Sequence, residues 1–132
     1  MFDRPYAITR VLPAVDHATA VARVREALAT EGFGVLTEID VQATLEKKLG
    51  VERRPYLILG ACNPVLAHRA LEAEPTIGVF LPCNVDVFEG DGGEVVVQAV
   101  NPEAMFRLVE TEGVAPIAAE VSSRLRRVLE RL

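Results

Sequence analysis

The chain has no tryptophan, two cysteines, two histidines and two serines, and each shortage removes a class of chemistry. The serines, Ser122 and Ser123, stand side by side near the end of the chain, and no Gly-x-Ser-x-Gly elbow exists, which argues against a hydrolase triad. Cys62 and Cys83 show no Cys-x-x-Cys spacing, no His-x-x-x-His pair occurs, and His17 lies far along the chain from both thiols. The sequence therefore predicts no metal site and implies no cofactor. No Lys-Ser/Thr follows any glycine cluster, and Gly32-Phe33-Gly34 leads into a strand rather than a helix, so a phosphate-binding loop is not expected.

Long apolar runs are missing too. Half of the residues are hydrophobic, yet Arg, Asp or Glu interrupts every stretch before the roughly 18 residues that a membrane span needs. The opening residues, Met1-Phe2-Asp3-Arg4-Pro5-Tyr6, carry an acid and a proline where a signal peptide has a basic start and an apolar run, which places the expected location in the cytoplasm. Positive charge is in deficit: 14 Lys and Arg against 19 Asp and Glu leave a formal charge of −5. Nucleic-acid binding relies on basic side chains neutralising phosphates, so neither a nucleic-acid nor a membrane partner is expected.

What is present reads as one domain over residues 1–132, without repeats or linkers. Tyr6–Leu12 reads as a strand closed by Pro13, and Asp16 offers a cap to a helix from His17 to Thr30 that Gly32 stops. Phe33, Val35, Thr37 and Ile39 alternate with Gly34, Leu36, Glu38 and Asp40, predicting a second strand with one apolar face and one that turns acidic. Val41–Leu49 is a short helix ended by Gly50. Tyr56–Ala61 is apolar at nearly every position, as a central strand is. Asn63-Pro64 then opens a helix through Leu71.

Apolar residues at the odd positions from Ile77 to Val87 predict one long strand over Ile77–Phe88, bulged or at an edge because Pro82 cannot donate to a ladder. The turn Glu89-Gly90-Asp91-Gly92-Gly93 makes Val95–Val100 its antiparallel partner. A short helix after Asn101-Pro102 and an amphipathic helix carrying Ile117, Val121, Leu125 and Val128 complete the chain.

The chemistry concentrates in a repeated pair, Cys62-Asn63 at a strand end and Cys83-Asn84 within a strand. Where the two strands are neighbours, both pairs meet at one end of the sheet, giving a candidate ligand-binding site of Cys62, Asn63, Cys83 and Asn84, with Glu38 and His68 as supporting groups. Cys62, near a helix N-terminus that favours a thiolate, is the better nucleophile. Each residue also has a plain structural reading: a buried thiol packs like a small hydrophobe, Asn63 caps the helix, His68 sits exposed on it, and Glu38 with Asp40 marks a strand emerging into water. A disulfide between the cysteines is disfavoured in a reducing compartment.

The segments Phe33-Gly34-Val35-Leu36-Thr37-Glu38-Ile39-Asp40, Leu59-Gly60-Ala61-Cys62-Asn63-Pro64 and Ile77-Gly78-Val79-Phe80-Leu81-Pro82-Cys83-Asn84-Val85 resemble domain-of-unknown-function family 302 over nearly the whole chain. That resemblance implies an α+β two-layer sandwich, a mainly antiparallel sheet with helices packed on one side, and no assigned reaction. Alternating strands and helices from Tyr6 to Leu71, taken alone, would suggest parallel pairing. A sandwich of this kind leaves one sheet face to be covered, and the expected cover is a second copy in a twofold homodimer.

Three functional readings follow from the residues. The first is a module that binds a small molecule or responds to redox state through the Cys-Asn pairs. The second is a structural or protein-interaction homodimer domain without a catalytic site. The third is an enzyme using Cys62 as nucleophile and His68 as base, for which no third orienting group is evident.

Overall fold

Strand and helix boundaries follow the caps and turns written into the chain. The computed structural model describes residues 1–132. Ala7–Leu12 (β1), Gly34–Asp40 (β2), Tyr56–Cys62 (β3), Cys83–Glu89 (β4) and Val95–Val100 (β5) form one sheet in the order β1-β5-β4-β3-β2, antiparallel at every step. The helices are His17–Thr30 (α1), Val41–Leu49 (α2), Pro64–Ala73 (α3), Pro102–Met105 (α4) and Val114–Glu130 (α5), with 3₁₀ turns at Pro75–Phe80 and Phe106–Leu108. This is an α+β fold. β1 and β2 do run in the same direction, but they lie at opposite edges with three strands between them, so the strand-helix-strand rhythm produces no parallel pair. No helix is long and apolar enough to cross a membrane.

Side-chain oxygens start four of the five helices. Asp16 accepts from the Thr19 amide at 2.8 Å, Asp40 from Ala43 at 2.9 Å, Asn63 from Leu66 at 3.2 Å and Asn101 from Glu103 at 3.2 Å. Each satisfies an amide that the helix itself leaves unpaired, typically a contribution of about 1 kcal/mol. Pro64 and Pro102 occupy the first helical turns, where their missing N–H costs nothing.

One face of the sheet carries Ile8 and Leu12 from β1, Leu57, Leu59 and Ala61 from β3, Cys83, Val85 and Val87 from β4, and Val95, Val97 and Ala99 from β5. Ala20, Val24, Ala27 and Leu28 of α1 and Val121, Leu125 and Val128 of α5 pack onto it to make the main core. A smaller cluster of Ala70, Ile77, Phe106, Val114 and Ala118 gathers beside it, and Ile117 touches both.

The end of α1 ties the helix layer together. Gly32 has a left-handed backbone (φ +82°), and a Cβ there would stand 3.0 Å from the Asn63 amide nitrogen. The turn lets the Glu31 carbonyl accept from Asn63 Nδ2 at 3.2 Å and from Arg124 at 3.1 Å. The Glu31 carboxylate pairs with Arg127 at 2.9 Å, and the hydrogen bond from Arg127 holds that carboxyl below its usual range. Asn63 is thus cap and cross-brace at once.

Two expectations from periodicity are corrected. Ile77–Phe88 is not one strand: Pro75–Phe80 forms a 3₁₀ turn, and β4 begins at Cys83, just after the cis Leu81-Pro82 bond. Ile77 is buried in the smaller cluster, whereas Val79 is 87% exposed, so the shared odd spacing does not reflect a shared face. Because Pro82 precedes β4, that strand can occupy the centre of the sheet without an unpaired position.

The even alternation along β2 also breaks. Val35 pairs with Ala61 and Thr37 with Gly60, leaving Leu36 as an extra residue in a bulge. Beyond it the faces exchange: Thr37 and Ile39 turn to the open side of the sheet, while Glu38 and Asp40 share the helix side with their partners Leu59 and Leu57. Glu38 there meets Arg25 of α1 at 2.8 Å.

The open face is partly covered by the chain's own N-terminus. The Phe2 carbonyl accepts from Gln98 Nε2 at 2.9 Å and Thr9 Oγ1 at 3.4 Å, and the Phe2 ring meets Phe88 edge-on, its centroid 5.6 Å away. Phe88 stacks in turn on Tyr56 at 4.9 Å.

Candidate functional site

Where the main core meets the smaller cluster, packing leaves a cavity of about 310 Å³, and 13 of its 15 lining residues are hydrophobic. Its walls come from elements that sequence spacing keeps apart. Ala61 and Cys62 end β3, Leu66 and Ala70 come from α3, Cys83 starts β4, and Ile117 and Val121 belong to α5. The β2 bulge contributes Leu36, which is 69% exposed and lines the cavity as well. Such a volume lies at the small end of the range seen for ligand pockets, about 300–1,000 Å³.

Both sulfurs reach this space. β3 and β4 are neighbours, with Ala61 opposite Cys83, so Cys62 stands one residue beyond the pair. Both are free thiols; Cys62 is half-buried and Cys83 is buried. Burial pushes the Cys83 thiol up to about 11, and the charge of a neighbouring Cys62 thiolate adds to the shift. Cys83 is therefore held neutral, and Cys62 is the more accessible of the two.

The residues singled out from the sequence divide into three groups. Cys62, Asn63 and Cys83 line the cavity, although both ends of the Asn63 amide are engaged, with Leu66 and Glu31. Asn84 follows Cys83 within a strand, so the pleat turns it to the opposite face, where it is exposed opposite Gly60. Glu38 sits at the β2 edge against Arg25, and His68 is exposed on α3 without lining the cavity. The structure therefore does not bring His68 to Cys62 through the cavity wall. His17, the other histidine, donates from Nε2 to the Val87 carbonyl at 2.8 Å and fastens the start of α1 to β4.

Comparison with known proteins settles the family. The model for Domain of unknown function DUF302 matches residues 8–132. The chain belongs to the DUF302 family. A crystal structure described as an uncharacterized conserved protein DUF302 from Bacillus stearothermophilus superposes with a TM-score of 0.89 at 29% identity, covering 97% of this chain and 98% of that one. No curated protein matches the sequence.

In this DUF302 chain the cavity wall is built mostly from residues with no chemical signature. Leu36, Leu81, Phe106, Ile117 and Val121 were not foreseen as site residues. For Ile117 and Val121 the only sequence cue was their i, i+4 spacing on α5, which reads equally well as core. Leu36 depends on a bulge that a period-two pattern does not reveal.

Proposed function

We propose that this protein binds a small, uncharged, apolar molecule in the cavity between α3, α5 and the ends of β3 and β4, with Cys62 as its thiol-reactive element. The observation that carries this reading is an apolar cavity lined by two free cysteines, one of them half-buried. With the Asn63 amide already committed, specificity rests on shape and on sulfur rather than on charge. Two free thiols also suit a reducing, cytoplasmic setting. The fold alone carries no function, so the argument stands on the site.

The test combines a neutral fluorophore with thiol labelling. N-phenyl-1-naphthylamine added to the native protein should show saturable fluorescence enhancement, and Ala67→Leu, which fills part of the cavity from α3, should abolish it without unfolding the chain. Cys83 is buried and burial pushes its thiol up, whereas Cys62 is half-buried, so N-ethylmaleimide should modify Cys62 well before Cys83 and block dye uptake. Equal rates at the two cysteines, or dye uptake unaffected by modifying Cys62, would sink the proposal.

A competing reading is a structural homodimer domain that takes no ligand. It is favoured by the exposure of Val11 (44%) and Ile39 (50%), one on each edge strand of the open sheet face. It predicts no saturable dye uptake together with a sedimentation mass of two chains at micromolar concentration; a one-chain mass removes it.

A further inference from the structure

A second cavity, of about 570 Å³, lies on the open side of the sheet, opposite the helix layer, and its lining is of a different character. Tyr6, Asn84, Asp86, Gln98, Met105 and Arg107 contribute to its wall. Asp86 is the unusual member. It lies in the central strand β4, flanked in register by Ile58 of β3 and Gln98 of β5, where an apolar residue would pack without penalty.

Only part of its carboxylate is satisfied. Oδ2 accepts from the Tyr56 hydroxyl at 3.1 Å, while Oδ1 is buried and has no hydrogen-bond partner. Gln98 does not supply one, because its amide nitrogen is already given to the Phe2 carbonyl and to Thr9 Oγ1 at 3.1 Å. Burial pushes the Asp86 carboxyl up and the Tyr56 bond only partly opposes it, so the ionised form lacks a positive neighbour. Unsatisfied buried acceptors of this kind are rare and call for a donor.

The missing donor has a definable shape. With Oδ2 occupied by Tyr56, a guanidinium cannot bind both oxygens side by side, whereas a compact ammonium needs a single acceptor. One carboxylate is also too little charge to hold a divalent cation, which takes about six or more oxygen ligands. Elsewhere on the wall, Arg107 is exposed and forms no salt bridge, leaving its guanidinium free for an anion. Asn84 adds an exposed amide, and Met105 and Val100 add apolar surface.

We infer that this cavity is a binding site for a small zwitterion of the amino-acid type with an apolar side chain, its ammonium on Asp86 and its carboxylate on Arg107. The site is separate from the thiol-lined cavity, because the sheet itself stands between them. It also gives Asn84 a setting distinct from that of Cys83: one adjacent pair serves two faces.

The test uses the full chain and follows backbone amide shifts at residues 84, 86, 98 and 107 by NMR. L-valine, L-leucine and L-methionine are titrated to 10 mM, alongside isoamylamine and 4-methylpentanoate, which are leucine without its carboxylate and without its ammonium. At least one amino acid should produce saturable shifts at these positions, with each half-molecule at least about tenfold weaker. Asp86→Asn and, independently, the surface change Arg107→Met should each weaken binding about tenfold or more, so a folding defect in one variant leaves the other to decide. Absence of shifts with all three amino acids, amine binding as tight as the amino acid, or full affinity in a folded variant overturns the inference.

Discussion

Replacing Gly60 by alanine is expected to destabilise the protein by about 2–3 kcal/mol, the upper part of the range for overpacking. Gly60 sits in β3 between Thr37 of β2 and Asn84 of β4. A Cβ built there would collide with Thr37 Oγ1 and lie 2.8 Å from Cγ of Pro82. The threonine has some room to yield, since it is on an edge strand, though its branched side chain has few rotamers. The proline does not, because its ring is part of the backbone entering β4.

Urea unfolding should show a lower midpoint with an unchanged slope, the signature of lost stability rather than a changed unfolded state. Thr37→Ala alone should be nearly neutral, as Thr37 is exposed. Combined with Gly60→Ala it should recover about 1 kcal/mol, the share owed to the hydroxyl, and leave the share owed to Pro82. A Gly60→Ala variant within about 0.5 kcal/mol of the parent would show that β2 and the Leu81-Pro82 turn do not close on β3 as described. The consequence reaches the site, because Leu36 and Pro82, both adjacent to this contact, line the thiol cavity.

Much of the fold was legible because the elements are punctuated by residues with one dominant local role. Asp16, Asp40, Asn63 and Asn101 precede helices and cap them, Gly32 and Gly50 follow helices in left-handed conformations, and Gly90 to Gly93 turn β4 into β5. What failed was inference from alternation alone. Along Ile77–Phe88 the same odd spacing continues across a 3₁₀ turn and a strand, and only the position of each side chain in three dimensions separates buried Ile77 from exposed Val79. Along β2 a single extra residue exchanged the faces.

The site was legible to the same extent and for the same reason. Cys62 and Cys83 converge because β3 ends with Cys62 at the same end of the sheet where its antiparallel neighbour β4 begins with Cys83. The pleat then separates Asn84 from Cys83, a consequence of strand geometry that the adjacency of the two letters conceals. The cavity itself had no sequence counterpart, since it is a defect in packing between two clusters and its apolar lining looks like core from either side.

That defect makes two isoleucine- and leucine-to-alanine changes on one helix unequal. Leu125→Ala is expected to cost about 3–4 kcal/mol, because Leu125 is fully enclosed in the main core and its removal opens a new void between α5 and the sheet. Ile117, two turns earlier on the same stripe, already borders the cavity and is only half-buried. Its truncation removes contacts but enlarges an existing space, so Ile117→Ala should cost only about 1 kcal/mol, the transfer contribution without a new cavity. The parent stability expected of such a domain, about 5–15 kcal/mol, leaves both variants folded and measurable. Denaturant titration of the pair, with N-phenyl-1-naphthylamine uptake recorded on each, links the energetics to the site: Ile117→Ala should keep or increase dye capacity. Equal losses at the two positions would mean that Ile117 is gripped on all sides as tightly as Leu125, and a side chain held in that way cannot form the wall of an open cavity.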